Sequence, residues 1–255
     1  SSSYVQKVLE DRLGEDTRVT ILGHLQRGGA PSAFDRNLST LLGADAVDAV
    51  IEHRGEANLI GIVGNKITRT PLVEALQRTK AVHEALAQQD FDTAIALRGA
   101  GFVEAFRTLR TLVRAHPHEP EPGKRKLRIG VLTAGAPSPG MNTAVRAAVR
   151  LGVDAGHTML AVYNGFKGLI GDEVHEVDWM SVNGWAPVGG SHLGTSRIKL
   201  EGSDFYAIAR NIEENRIDAL LMIGGWSGYQ SAMELHERRH NFPAFSIPIV
   251  CLPAT

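Results

Sequence analysis

The chain has 255 residues, 43% hydrophobic and 22% charged, a globular composition that excludes long disordered tails and fibrous repeats. Lys plus Arg number 27 and Asp plus Glu 28, so the net charge of −1 gives no bulk attraction for nucleic acid or an acidic membrane. The single cysteine, Cys251, excludes an internal disulfide, and its apolar neighbours predict a place in the core.

The first hundred residues predict helices around a short strand region. Residues 3–13 place apolar side chains on one helix face, and residues 18–22 alternate as in a β-strand. A glycine-flanked loop, GHLQRGGAPSAFDR, precedes a helix predicted from Ala33 to about His53. The segment ANLIGIVGNKIT then predicts one or two strands.

Two further helices are predicted before the pattern changes. Thr70 is the expected N-cap and Pro71 the first residue of one helix, and another is expected over residues 90–115. Residues 116–126, HPHEPEPGKRK, are rich in proline and charge and predict a linker, with a long surface loop as the alternative.

From Leu127 onward strands alternate with helices. Strands are expected over residues 127–135, 157–165, 217–225 and 247–255, and helices over 143–156, 203–216 with Ser203 at its cap, and 226–238. This order predicts an α/β fold with a mostly parallel sheet flanked by helices, a Rossmann-type three-layer sandwich. In such sheets ligands bind beyond the carboxyl ends of the strands.

A first group of candidate binding residues lies in RVTILGHLQRGG. Arg18, His24, Gln26 and Arg27 combine two guanidinium groups and an imidazole within ten residues, a set suited to phosphate oxygens. The paired glycines after Arg27 allow a sharp turn close to a ligand. The alternative is that the arginines form surface salt bridges and His24 caps a carbonyl.

A second group follows the first strand of the alternating region. TAGAPSPGMN is a small-residue turn that leads into a helix, an arrangement in which free amides and the helix dipole favour an anion. Arg146 and Arg150 are four residues apart on one face of that helix, where like charges repel unless an anion lies between them. A solvated helix face is the alternative.

Two glycine-rich segments add weaker candidates. In GGSHLGTSR, the Thr195 and Ser196 hydroxyls and Arg197 can donate to a phosphate. The turn Gly224–Gly228 contains no carboxylate, so it is expected to bind a ligand without transferring a phosphoryl group. Four histidines near residues 116–118 and 236–240 lack a third ligand close in sequence, and we expect no metal site there.

The motif GHLQRGGAPSAFDR resembles the 6-phosphofructokinase family. LTAGAPSPGMNTAVRAAVR, YNGFKGL, GGSHLGTSR, IDALLMIGG and IPIVCLPAT resemble the beginning of the same fold. A motif from the end of the family's fold therefore comes before motifs from its beginning. This order resembles that of the duplicated eukaryotic-type enzymes, in which one half follows another in a single chain. The resemblance implies that residues 1–115 end a catalytic half, 116–126 join the halves, and 127–255 begin a regulatory half.

The resemblance also implies a role for each matching residue. Fructose 6-phosphate would bind Arg18, His24, Leu25, Gln26 and Arg27, with Arg18 reaching in from a neighbouring half. Arg197 would bind fructose 2,6-bisphosphate, and Arg146 and Arg150 match arginines that hold effector phosphates in the single-unit bacterial enzymes. The implied effectors of the protein are fructose 2,6-bisphosphate or adenine nucleotides. The implied protein is an allosterically regulated, cytoplasmic glycolytic homo-oligomer, a tetramer or larger, that uses ATP and Mg²⁺.

Departures from the family pattern concern catalysis. Trp226 stands where the family's catalytic half has an aspartate, and Ala136 and Pro137 follow Gly135 where Gly-Gly-Asp is usual. The family's aspartate segment would lie before Ser1 or after Thr255, so no catalytic or metal-binding residue is expected in this chain. A pyrophosphate-dependent phosphofructokinase and a non-catalytic sugar-phosphate-binding module remain as alternatives. A Rossmann-type dehydrogenase is not expected, because the chain lacks the GxGxxG motif with an acidic partner.

Overall fold

The computed structural model describes residues 2–14, 16–52, 57–123 and 125–254. The chain forms two compact units, Ser1–Arg98 and Gly99–Thr255. The predicted linker contains neither helix nor strand in its described part, but the units divide before it, so the helix preceding it belongs to the second unit. The proposed division into two family halves, with residues 116–126 between them, stays a prediction.

The first unit is mainly helical. Its elements are α1 (Ser2–Leu13), a 3₁₀ helix (Gly23–Arg27), α2 (Ala33–Glu52), β1 (Asn58–Val63), β2 (Lys66–Pro71), α3 (Leu72–Ala87) and α4 (Phe91–Ala96). The strands form an antiparallel hairpin whose turn residues, Gly64 and Asn65, both have positive φ. Asn and Gly tolerate this conformation, which matches the twist of a two-residue hairpin. The helix over residues 3–13, the helix from Ala33 and the strand region are confirmed, and His53 lies outside the described residues.

Polar contacts fasten the hairpin to α2. Arg69 of β2 donates from Nη2 to Asp45 Oδ1 at 2.7 Å and from Nη1 to Glu52 Oε2 at 2.6 Å. The hydrogen bond from Arg69 lowers the pKa of Asp45. At the start of α2, Ser32 N donates to Asp35 Oδ2 at 2.8 Å and Asp35 N donates to Ser32 Oγ at 3.2 Å. This reciprocal pair satisfies amides that the helix leaves free.

Three local expectations for this region are wrong. Residues 18–22 form no strand, because no described segment pairs with them, and Ile21 is 80% exposed. The helix expected over residues 90–115 is interrupted after α4, where Gly99 takes φ of 94°. Thr70 is still part of β2 and Leu72 opens α3, so the expected cap is displaced by one residue.

The second unit is built around one sheet. Its elements are α5 (Ala100–Leu112), β3 (Arg128–Ala134), α6 (Met141–Asp154), β4 (Thr158–Val162), α7 (Gly165–Ile170), β5 (Val174–Val177), α8 (Gly202–Glu214), β6 (Ala219–Gly224), α9 (Trp226–Glu237) and β7 (Ile249–Pro253). The strand order is β5-β4-β3-β6-β7, and only the β4–β5 pair is antiparallel. The predicted α/β class with a mostly parallel sheet is confirmed.

Helices cover both faces of this sheet. Consecutive residues of β3 point to opposite sides, so Leu132 joins a core with α7, α8 and α9, whereas Val131 joins one with α6. Leu132 and Val131 are both fully buried. This alternation places every apolar side chain of the central strand in a packed layer.

Several details of the second unit differ from expectation. The short elements α7 and β5 carry too few residues for a clear periodic pattern and were not predicted. The cap of α8 is Glu201, whose N–H donates to Asp204 Oδ2 at 2.8 Å, rather than Ser203. Cys251 is exposed rather than in the core, because β7 is an edge strand whose side chains are largely uncovered.

Among the described residues no helix is both long and apolar enough to span a bilayer.

Candidate functional site

A crevice forms where the chain changes direction across the sheet. From β3 the chain proceeds to β4 and β5 on one side, then returns to β6 on the other, so the switch point lies between β3 and β6. Beyond these strand ends, Gly225 N donates to Ala134 O at 3.4 Å. Helix α9 begins at Trp226, directly after the turn that follows β6, and α6 begins at Met141, after a six-residue turn that follows β3. Ligands of doubly wound sheets bind at this position.

Glycines make the floor of the crevice from bare backbone. A Cβ at Gly224 would overlap the carbonyl oxygen of Ala134, and one at Gly135 would lie 3.5 Å from Ser227 Oγ. Gly135 also has φ of 103°, a conformation that side chains rarely adopt. Glycine is therefore required at 224 by the close approach of the β3 backbone and at 135 by its positive φ.

The polar groups around the crevice favour an anion. Neither α6 nor α9 has an acidic residue in its first turn, so their free amides and dipoles carry uncompensated positive potential. Ser138 lies in the turn before α6, is 6% exposed, and its Oγ has no hydrogen-bond partner among the described residues. The side chain of Trp226 is 74% exposed at the start of α9.

A segment that we call the strap, residues 186–196, is hydrogen-bonded to the end of β3 and the turn after it, beside the crevice. Thr133 Oγ1 donates to Gly194 O at 2.6 Å, and Thr195 Oγ1 donates to Gly135 O at 2.7 Å. The Thr195 hydroxyl proton, considered above for a phosphate, is therefore already donated within the chain. Ser196 forms a parallel bridge with Ala134.

Asn142, in the first turn of α6, holds the same strap with its amide. Asn142 Nδ2 donates to Val188 O at 3.0 Å, and His192 N donates to Asn142 Oδ1 at 2.6 Å. Asn142 is 1% exposed, so these bonds replace the water that its amide would otherwise bind. The role of Asn142 was missed from the sequence, where the available signal was a polar residue at the buried start of an apolar helix face.

Arg197 follows the strap at the mouth of the crevice. Its side chain is exposed, and it makes no hydrogen bond or ion pair within the described part of the chain. It is next to Ser196, whose carbonyl accepts a hydrogen bond from Gly135 N at 3.1 Å. Arg197 thus directly follows the backbone that borders the crevice, and none of the described residues engages its guanidinium.

Arg146 and Arg150 converge on a carbonyl rather than on open solvent. Arg146 Nη2 donates to Leu112 O at 2.9 Å, and Arg150 Nη1 donates to the same oxygen at 2.7 Å. Arg150 is 4% exposed, and its guanidinium lies 4.6 Å from the centre of the Trp179 ring. Burial, followed by the charge of Arg146, lowers the pKa of Arg150. The alternative of a solvated helix face is wrong for Arg150.

The residues of the GHLQRGG motif lie together on an exposed turn of the first unit. His24, Leu25 and Arg27 are exposed on the 3₁₀ helix, which Gly28 N closes by donating to Leu25 O at 3.0 Å. The side chain of Gln26 lies outside what the structure describes. Arg18 is exposed upstream, with Nε 4.0 Å from Asp16 Oδ2. Leu25 and Arg27 expose their side chains to solvent.

The metal-ligating side chains of the described residues do not cluster. No group of three His, Cys, Asp or Glu side chains among them is arranged to hold an ion. The turn after β6 lacks a carboxylate, so the crevice does not fit Mg²⁺, which prefers carboxylate and phosphate oxygens. His118 and Asp154 are instead paired with each other, at 2.8 Å between Nδ1 and Oδ1.

Comparisons with known proteins agree with this fold. The phosphofructokinase family model matches residues 1–50 and 128–255. A platelet-type ATP-dependent 6-phosphofructokinase of Rattus norvegicus is 42% identical, and an ATP-dependent 6-phosphofructokinase of Aspergillus fumigatus is 44% identical. Each match covers 100% of this chain but only 32% and 33% of the relative.

Solved structures give the same picture. Pichia pastoris phosphofructokinase in the T-state superposes with a TM-score of 0.93 at 38% identity, over 100% of this chain and 29% of that one. Phosphofructokinase from Saccharomyces cerevisiae superposes with a TM-score of 0.91 at 40% identity, over 100% and 34%. The chain thus spans about one third of the length of the relatives that it matches.

Proposed function

The chain belongs to the phosphofructokinase family, and we propose that it is the junction between the two halves of a duplicated, ATP-dependent 6-phosphofructokinase. Residues 1–115 would end the catalytic half, residues 116–126 would connect, and residues 127–255 would begin a regulatory half. The family match on both sides of residues 116–126 supports this organisation. So does the single, chain-long match to relatives about three times as long.

The proposed reaction is a glycolytic phosphoryl transfer. The γ-phosphoryl group of ATP would pass to the 1-hydroxyl of fructose 6-phosphate and give fructose 1,6-bisphosphate. The observation that carries this assignment is identity of 42–44% along the entire chain to enzymes named ATP-dependent 6-phosphofructokinase. Mg²⁺, when bound, would neutralise charge on the phosphates, held by groups other than those of the crevice.

Substrate binding is proposed for the exposed turn of the first unit. Arg18, His24, Leu25, Gln26 and Arg27 would surround the acceptor sugar phosphate. Guanidinium forks match phosphate oxygens in geometry and charge, so Arg18 and Arg27 would fix the phosphate end. Holding that end orients the 1-hydroxyl for in-line attack, which lowers the entropic part of the barrier. The exposure of Arg27 supports its availability for this role.

Effector binding is proposed for the second unit. Arg197 would bind a phosphate of fructose 2,6-bisphosphate, because its guanidinium is exposed beside an anion-favouring crevice. Arg146 and Arg150 would bind phosphates of an adenine nucleotide or sugar effector only by giving up Leu112 O, to which both donate. An effector at this pair would therefore compete with the end of α5.

The intact enzyme would be a cytoplasmic homo-oligomer, a tetramer or larger. The proposed use of Arg18 by a neighbouring half requires contact between halves or subunits. The alternative for the second unit is a binding module without catalysis, which the missing carboxylate and the exposed Trp226 specifically favour. In a duplicated enzyme the two readings are compatible, since one half would catalyse phosphoryl transfer and the other would only bind effectors.

A kinetic experiment on the intact polypeptide tests the assignment. Arg27→Ala should raise the KM for fructose 6-phosphate at least tenfold with a smaller change in kcat, because a charge-assisted contact contributes about 1.5–3 kcal/mol. The matched control is Arg12→Ala, an exposed arginine at the end of α1. An unchanged KM would remove Arg27 from the substrate site, and turnover with pyrophosphate but not ATP would replace the proposed donor.

A further inference from the structure

The dipeptide Asn-Gly occurs twice in the chain, and the two copies have different surroundings. Asn164 and Gly165 lie where α7 begins, and Asn183 and Gly184 lie in a turn shortly before the strap. Asparagine followed by glycine can lose ammonia without an enzyme, because glycine has no Cβ to obstruct attack by its nitrogen on the preceding side chain. Since the dipeptides are identical, a difference in reactivity between them comes from what surrounds them.

Hydrogen bonds fix the first pair. Asn164 Nδ2 donates to Glu173 Oε2 at 2.6 Å, and Asn164 N donates to Leu193 O at 2.7 Å. The side-chain oxygen of Asn164 lies against the backbone of Gly194, where an added Cβ would come within 2.5 Å of it. The carboxamide is therefore held in one orientation, and it must break a charge-assisted hydrogen bond before it can turn toward the next peptide nitrogen.

The peptide group that would attack Asn164 is also enclosed. Gly165 is buried, and a Cβ built on it would lie 2.5 Å from Thr133 O and 3.0 Å from Ser196 Oγ. Ring closure changes the backbone angle between the two residues, so Gly165 would have to move against β3 and the strap. The first pair is thus protected in both its side chain and its backbone.

The second pair lacks these restraints. Asn183 and Gly184 are both exposed, and a Cβ at Gly184 would meet no atom within 4 Å. Within the part of the chain that the structure describes, no group bonds to the Asn183 carboxamide or accepts a hydrogen bond from Gly184 N. Asn183 N donates to Met180 O at 2.9 Å, so the turn is formed without these two groups. The carboxamide can therefore rotate toward the nitrogen, and water can reach both.

We propose that Asn183 is a site of spontaneous deamidation. Gly184 N attacks Cγ of Asn183 and forms a new N–C bond, while the bond between Cγ and Nδ2 breaks. The side-chain nitrogen leaves as ammonia and takes up the proton that Gly184 N gives up. One water molecule then opens the five-membered succinimide ring at either carbonyl, which leaves aspartate or isoaspartate. No oxidant or reductant takes part, and the product carries one additional carboxylate.

The product disturbs the attachment of the strap. The Trp185 ring lies 4.7 Å from the ring of His192 in the strap, and Thr143 Oγ1 of α6 donates to Ala186 O at 2.8 Å. Isoaspartate lengthens the main chain by one methylene group at residue 183. This insertion shifts Trp185 relative to both contacts, so conversion of Asn183 is coupled to the segment that borders the crevice.

Ageing of the intact polypeptide at mildly alkaline pH tests the proposal. Peptide mapping by mass spectrometry, with fragmentation that distinguishes isoaspartate from aspartate, follows both pairs in one sample. Asn183 should convert at least about tenfold faster than Asn164, because the charge-assisted hydrogen bond to Glu173 must break at the slower site. The control is the same chain unfolded in urea, in which this difference should disappear. Equal rates at the two pairs in the folded chain would overturn the proposal, as would an Asn183 that converts only after unfolding.

Two variants test the physical cause. Glu173→Ala removes the acceptor that holds Asn164, so it should speed conversion of Asn164 and leave the rate at Asn183 unchanged. Asn183→Gln should abolish conversion in the turn, since the longer side chain closes a six-membered ring more slowly. Its tryptophan emission should stay constant during ageing, whereas that of the wild type should change as Trp185 shifts. Constant emission from converted wild type would refute the link to the strap.

Discussion

The two compact units bury their apolar side chains to very different extents. In the second unit both faces of a five-stranded sheet are packed, and Leu132, Leu160 and Ile223 are fully or almost fully enclosed. Among the described residues of the first unit, the buried hydrophobic side chains are those of Ala49, Ala85 and Ala94. The described residues of the first unit therefore contain a much smaller apolar core than the second unit.

This difference separates the two candidate sites as well. The GHLQRGG turn of the first unit is held by short-range hydrogen bonds and exposes its side chains. The crevice of the second unit is shaped by long-range contacts, such as that between Thr133 and Gly194. Substitutions in the exposed GHLQRGG turn should consequently act through binding, whereas substitutions in the core beneath the crevice should act through packing.

The largest expected effect is loss of core volume at the central strand. Leu132→Ala should lower the free energy of unfolding by about 2–5 kcal/mol, because Leu132 is fully buried in β3. The matched change Leu41→Ala, on an exposed position of α2, should cost at most about 0.5 kcal/mol. Urea denaturation followed by circular dichroism measures both. Equal losses would contradict the contrast between the units.

Adding one methyl group to a glycine sharpens the same comparison. Gly224→Ala should destabilise by about 1–3 kcal/mol, because its Cβ would overlap Ala134 O on the neighbouring strand. Gly43→Ala, in the middle of α2 with open space around it, should instead stabilise by about 0.5–1 kcal/mol. Thermal melts of both variants test the predicted opposite signs, and a shift in the same direction would refute it.

The attachment of α5 within the second unit should depend on Arg150. Arg150→Met removes a 2.7 Å hydrogen bond to Leu112 O and the stacking on Trp179, and should cost about 1–3 kcal/mol. Faster amide exchange should appear at the C-terminal end of α5. The exposed control Arg210→Met should leave exchange unchanged. Unaltered protection in Arg150→Met would show that Arg146 alone holds the helix end.

The smallest effect concerns a turn stabilised by a carboxylate. Hydrogen bonds from Ser181 lower the pKa of Asp178. Its stabilising contribution is therefore present above the pKa of the unfolded chain and is lost as pH falls through the lower, folded pKa. The stability difference between wild type and Asp178→Asn should shrink below about pH 4. Asp35, whose pKa is lowered by Ser32, should behave alike in the first unit. A difference constant from pH 7 to 2 would contradict both.

Local signals predicted most of the elements but not their ends. The alternation of strands and helices after Leu127 predicted the mostly parallel sheet, because its buried strands are continuous apolar runs. A different pattern, the alternation of β-branched and apolar side chains, wrongly predicted a strand at residues 18–22. No described strand lies beside this segment to form hydrogen bonds with it. Gly99 interrupted an otherwise helical pattern through a positive φ that composition alone does not specify.

The candidate sites divide in the same way. GHLQRGG marks its turn from sequence, since paired glycines and adjacent cationic residues are read directly from the chain. The spacing of Arg146 and Arg150 predicted that they share a helical face. It could not predict that both donate to Leu112 O, because that acceptor is more than thirty residues upstream. Exposure of Cys251 likewise follows from the position of β7 at the sheet edge.

The sequence by itself determined the α/β class, the placement of glycines at the strand ends and the family to which the chain belongs. These depend on periodicity, local backbone preference and motif, all of which act over a few residues. Only the tertiary structure decided that the strap is held by Thr133 and Asn142, that Arg150 is buried, and that Glu173 holds the side chain of Asn164. Those outcomes depend on which distant segments meet, and the free energy of such contacts is set by burial and partner geometry.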